Sequence, residues 1–83
     1  MNPARFPVGG FKVTVDNWIT PRQVSIIKLV AEGLVNKEIA DALHISISAV
    51  KLNLYEARLR LALHGDERVT LARWAYRNGL VKP

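Results

Sequence analysis

Eighty-three residues without a cysteine leave room for one hydrophobic core, and exclude disulfide staples and thiolate metal sites. Nearly half the residues are apolar and 23% are charged, which is a folding composition, not a disordered one. Twelve Lys and Arg against seven Asp and Glu give a net charge of +5, which favours an anionic partner, nucleic acid foremost.

Residues 1–10, MNPARFPVGG, carry two prolines and two glycines without a period and read as a flexible arm. Phe11, Val13 and Val15 alternate with Lys12 and Thr14, the pattern of a short strand. A lone strand has no partner in an otherwise helical chain. It is expected either to lie extended on the core or to pair with a second copy. Residues 1–18 are therefore read as an N-terminal arm, and residues 19–83 as the folded domain. The N-terminus lacks a basic-then-apolar leader and no apolar run approaches a membrane span, so a cytoplasmic location without membrane contact is expected.

Thr20-Pro21-Arg22-Gln23 predicts a helix start, with a Thr N-cap, Pro at the first helical position and Gln placed for a capping box. Val24, Ile27, Val30, Ala31 and Leu34 form its apolar face, widened by Ile26 and Leu29. Gly33 is the natural stop, so helix one is expected over about 21–32. Asn36 is a plausible N-cap for a second helix over about 37–43, with Ile39, Ala40 and Leu43 at helical spacing. His44-Ile45-Ser46 breaks the pattern. After Ser46, a good N-cap, Val50, Leu54, Ala57 and Leu61 rebuild an apolar face, predicting helix three to about Leu63. Gly65 and Asp66 introduce a fourth helix from Glu67 to Asn78. Its buried side is read as Val69, Ala72, Ala75 and Tyr76, with Leu71 and Trp74 widening it. Gly79 closes it, and Leu80 to Pro83 form a tail that docks or frays. Two short amphipathic helices joined by about three residues have the form of a helix-turn-helix, whose second helix enters the DNA major groove.

The stretch ITPRQVSIIKLVAEGLVNKEIADALHISISAVKLNL resembles the LuxR/GerE-type helix-turn-helix domain of bacterial transcription regulators. The matching words are Thr20-Pro21-Arg22, Leu29 to Leu34, Asn36 to Ala40, Leu43, Ile45-Ser46, Val50-Lys51 and Leu54. The resemblance implies an all-α fold: a four-helix LuxR/GerE-type helix-turn-helix domain behind a short extended N-terminal arm. It further implies that helices two and three read DNA and that helix four mediates dimerisation. Lys51, Leu52 and Tyr55 stand where the family reads the groove, and Asn36, Lys37 and Asn53 where it contacts phosphates. Lys51 suits guanine, Leu52 a thymine methyl, and Lys37 at a helix N-terminus a phosphate. Ser46, Ser48 and Arg58 complete the expected DNA-binding set.

This sequence departs from the family at several positions. Gln23 and Ser25 replace glutamates, His44 replaces the turn glycine, Ala49 replaces Thr or Ser, Asn53 replaces His, and Ala62 replaces Gly. The loop into helix four is about two residues longer, which predicts a longer helix three. Ser48, Leu52, Tyr55, Leu59 and Leu63 all project opposite the core-facing stripe, so the reading face carries apolar residues where a DNA-binding helix is usually polar. Leu59 and Leu63 are therefore expected either to pack on helix four or to form a dimer or partner interface. Val69, Ala72, Arg73, Trp74 and Tyr76 on helix four join them there.

No catalytic constellation is present: His44 and His64 fall in or beside turns without a nucleophile or paired carboxylate, and no ligand cluster suits a metal. The expectation is a non-enzymatic, cofactor-free regulator that binds double-stranded DNA as a homodimer, using Asn36, Lys37 and Asn53 for register and Ser48, Lys51, Leu52 and Tyr55 for bases. Lacking a sensor or receiver domain in this sequence, it is expected to be controlled by its expression level or a partner. The alternative is a protein-binding antiactivator that masks a larger transcription regulator through the apolar face of helix three or helix four.

Overall fold

The computed structural model describes residues 11–12 and 18–82. Four α-helices carry the fold: α1 (Pro21–Ala31), α2 (Asn36–Leu43), α3 (Ile47–Arg60) and α4 (Glu67–Arg77). They follow two two-residue strands, β1 (Phe11–Lys12) and β2 (Trp18–Ile19), which pair antiparallel with Phe11 opposite Ile19 and Lys12 opposite Trp18. The strand at Phe11 therefore has a partner within the chain, where the sequence suggested none. The partner is too short to show a period: two residues leading into the Thr20 cap carry no alternation to read. Residues 1–10, with Val13 and Val15, lie outside the described residues.

α1 is the central helix, packing on α4, α3 and α2. Contact on several sides explains why Ile26, Ile27 and Val30 are all buried while Val24, Leu29 and Ala31 are only half-buried. Ile19, Ile39, Val50, Leu54, Ala57, Leu71, Ala75 and Val81 complete the core. Val81 is 8% exposed and Leu80 packs beside the core, so the start of the C-terminal tail docks. α1 opens as its sequence predicts. Thr20 Oγ1 accepts from the Gln23 N–H at 3.1 Å, and Gln23 Oε1 accepts from the Thr20 N–H at 3.0 Å. Gln23 does more than cap. It is buried, with Nε2 donating to Glu56 Oε1 at 3.4 Å and Oε1 accepting from Arg60 Nη1 at 3.4 Å, which ties the start of α1 to α3.

Each helix ends on a residue in the left-handed region. Gly33 (φ +96°) and Gly79 (φ +73°) serve α1 and α4, whereas His44 (φ +57°) and Ala62 (φ +54°) serve α2 and α3 and carry a Cβ there. At α3 the Leu63 N–H donates to the Arg58 carbonyl and the Ala62 N–H to the Leu59 carbonyl, both at 3.1 Å. This double bond pattern stops α3 at Arg60, short of the expected Leu63. The longer connection is spent on a loop, not on more helix. Leu63 consequently leaves the outer stripe and packs, half-buried, against the core.

α4 also departs from its expected face. Leu71 and Ala75 are its buried residues, with Trp74 packed beside them, while Val69 is 47% and Tyr76 44% exposed. The helix is rotated from the reading that grouped Val69 with Ala75, because the bulkier Leu71 takes the central position against α1.

Candidate nucleic-acid interface

The link between α2 and α3 is three residues long. His44 in left-handed geometry reverses the chain, and the Ile45 N–H donates to the Ala40 carbonyl at 3.0 Å. Ser46 then takes an extended conformation, its hydroxyl accepting from the Ala49 N–H at 3.0 Å to start α3. α2 is seated on the core by Ile39 and Ala40, and α3 by Val50, Leu54 and Ala57. With that face fixed, helical geometry turns the opposite face outward. Ser48 and Lys51 are exposed there, as are Leu52 (56%), Tyr55 (50%) and Leu59 (52%).

Not every expected site residue is on this face. Arg58 is turned toward the α3–α4 connection: Nε donates to Glu67 Oε2 at 3.3 Å, Nη1 donates to the Leu63 carbonyl at 3.2 Å, and the guanidinium lies 5.8 Å from the Tyr55 ring centre. Asn53 is half-buried, and its Nδ2 donates back to the Ala49 carbonyl at 2.7 Å. The residues expected at an interface divide as well. Leu59, Val69, Arg73 and Tyr76 are exposed, Ala72 and Trp74 are half-buried, and Leu63 belongs to the core margin. The Tyr76 hydroxyl donates to the Ala31 carbonyl at 3.1 Å.

The start of α2 differs from the sequence expectation. Its N-cap is Val35, not Asn36. Val35 has no side-chain acceptor, so only the reverse half of a capping box forms, with the Val35 N–H donating to Glu38 Oε1 at 2.9 Å. Asn36 is the first helical residue and uses its side chain otherwise: Oδ1 accepts from Arg68 Nη1 at 2.6 Å. Arg68 Nη2 also donates to the Leu34 carbonyl. Lys37 follows, exposed. Arg68 was invisible as a site residue in the sequence because its partners lie 32 and 34 positions away, beyond any local period.

Two helices set across a tight turn, the second with an exposed face of one cation, one hydroxyl, two aliphatic side chains and a phenol, form a surface that suits a groove. Lys51 offers an exposed ammonium donor, Leu52 an apolar contact, and Lys37 a cation beside the first-turn N–H groups of α2.

Residues 17–75 match the family model described as bacterial regulatory proteins, luxR family. The chain is 42% identical over 62 residues to a probable transcriptional regulator, ycf29, of Cyanophora paradoxa, covering 75% of this chain and 29% of that protein. It is 40% identical over 63 residues to the response regulator Rre1 of Synechocystis, covering 76% of this chain and 26% of the relative. It is also 40% identical over 60 residues to the nitrate/nitrite response regulator protein NarL of Escherichia coli, covering 72% and 27%. The chain thus spans under a third of the length of each of these relatives. No solved structure matches it significantly.

Proposed function

The chain belongs to the luxR family of bacterial regulatory proteins, and from that premise we propose that it is a sequence-specific DNA-binding regulator of transcription. In this reading it acts in the cytoplasm as a homodimer that sets α3 into successive major grooves. The observation that carries the reading is the outer face of α3, exposed from Ser48 to Tyr55 on a helix whose other face is locked into the core. Ser48, Lys51 and Leu52 face base edges, and Tyr55 faces a base or the flanking phosphate. Lys37 and the Asn36 side-chain N–H donate to one phosphate at the start of α2, and Ser46 lies beside the strand at the start of α3. Asn53 contributes the second N–H of its Nδ2, beyond the one given to Ala49. Arg58, engaged with Glu67 and Leu63, adds its charge to the attraction for the duplex and reads no base.

For the dimer, Val69, Ala72, Arg73 and Tyr76 on the outer side of α4 are the contact surface, with Trp74 supporting them from behind. A protein-binding reading has one specific observation in its favour. Leu59 extends the apolar stripe of Leu52 and Tyr55 by a further turn and is 52% exposed, a surface that would suit masking a larger transcription regulator.

Binding to a mixed-sequence duplex, followed by fluorescence anisotropy across a salt series, tests the proposal. Affinity is expected to fall linearly on logarithmic axes, with a slope that reports several phosphate contacts. No binding even at low salt would transfer the assignment to the masking reading.

A further inference from the structure

We propose that Arg68 is a positioning residue for DNA binding, acting from α4 on the phosphate-facing start of α2. The inference rests on the DNA-binding reading above. Glu32 to Val35 join the end of α1 to α2, whose first residue is Asn36. Val35 cannot cap α2 with its side chain, so the start of this helix is the one among the four without a side-chain N-cap bond. The Arg68 guanidinium, which only donates, accepts no first-turn N–H; it fastens the entry to α2 through a carbonyl and a side-chain oxygen instead. Its planar fork holds the Leu34 carbonyl with Nη2 and Asn36 Oδ1 with Nη1 at 2.6 Å, gripping the chain on either side of Val35. Lys37 follows Asn36. Its charge and the first-turn N–H groups face a phosphate usefully only if the link is fixed, because an untethered link spends binding free energy on its own ordering.

The first turn of α4 also carries Glu67, whose ion pair with Arg58 holds the far end of α3. Consecutive residues of α4 thus hold the two ends of the helix pair.

The test separates positioning from direct charge. Arg68→Lys keeps the cation but cannot make the two-pronged grip. In the 83-residue protein, with folding checked by circular dichroism at the binding temperature, R68K and R68A are both expected to weaken binding to a mixed-sequence duplex about tenfold. Both should lower the magnitude of the salt slope by about 0.9, the loss of one phosphate contact. In a Lys37→Ala background neither should lower it further. A wild-type slope in R68K, or Arg68 and Lys37 effects that add, would overturn the proposal, since additivity marks an independent phosphate contact. If Lys37→Ala lowers the slope but R68K does not, this inference alone fails. If the wild-type protein shows no salt-dependent binding, the DNA-binding reading fails and this inference with it.

Discussion

His44 and Ala62 sit in left-handed geometry with a Cβ, at φ +57° and +54°. That conformation strains an L-residue by about 1–2 kcal/mol, partly offset because glycine gains more freedom on unfolding. Ala62→Gly is therefore expected to raise the unfolding free energy by about 0.5–1 kcal/mol in chemical denaturation. A decrease would mean that the loop into α4 depends on the alanine methyl. Both positions are legible in the sequence as departures from a glycine, but only His44 falls at a break in the helical pattern; the period carries Ala62 inside helix three. Gln23 shows the opposite case. Its capping bond to Thr20 is local and was read from spacing, whereas its bonds to Glu56 and Arg60 span 33 and 37 positions and were not.

Among the elements, α3 has apolar side chains on both faces, for different reasons. Val50, Leu54 and Ala57 are there for the core, and Leu52, Tyr55 and Leu59 face outward. Helical period alone divided these two sets, and the structure keeps the division apart from Leu63, which the early stop of α3 removed. On the proposed function, Leu52 reads a thymine methyl, and that is testable on the DNA side. Once a preferred site is selected, replacing its thymines one at a time by deoxyuridine should find a position costing about 1 kcal/mol, within the range of single base contacts. The same replacement should cost nothing against Leu52→Ala. Equal losses in both proteins would remove Leu52 from base reading. α4 was less legible. Its apolar and small residues, Val69, Leu71, Ala72, Trp74, Ala75 and Tyr76, cover most of the circumference, so no single stripe announced which side would face α1.

At the scale of the molecule, a core of twelve buried apolar residues among those described leaves Val69, Arg73 and Tyr76 exposed on one side of α4. On the homodimer reading this is the surface that joins two copies, so Val69→Glu is expected to abolish self-association in sedimentation equilibrium. Its melting temperature at low protein concentration should change little, because the side chain already lies outside the core. A dimer that survives V69E would move the contact elsewhere, with the Leu59 stripe the next surface to test.

The sequence by itself determined what depends on neighbours within a turn or two: four helices, the Thr20 and Ser46 caps, the turn at His44, and the two faces of α3. Capping, left-handed termination and helical period all act over about four residues. Tertiary structure decided what depends on distant partners. The pairing of β1 with β2, the side of α4 that meets α1, the docking of Val81, and the grip of Arg68 on Leu34 and Asn36 each join residues separated by more than a local period. Such contacts are chosen by which packing buries most surface and satisfies most polar groups at once, a choice made by the assembled core and not by any one segment.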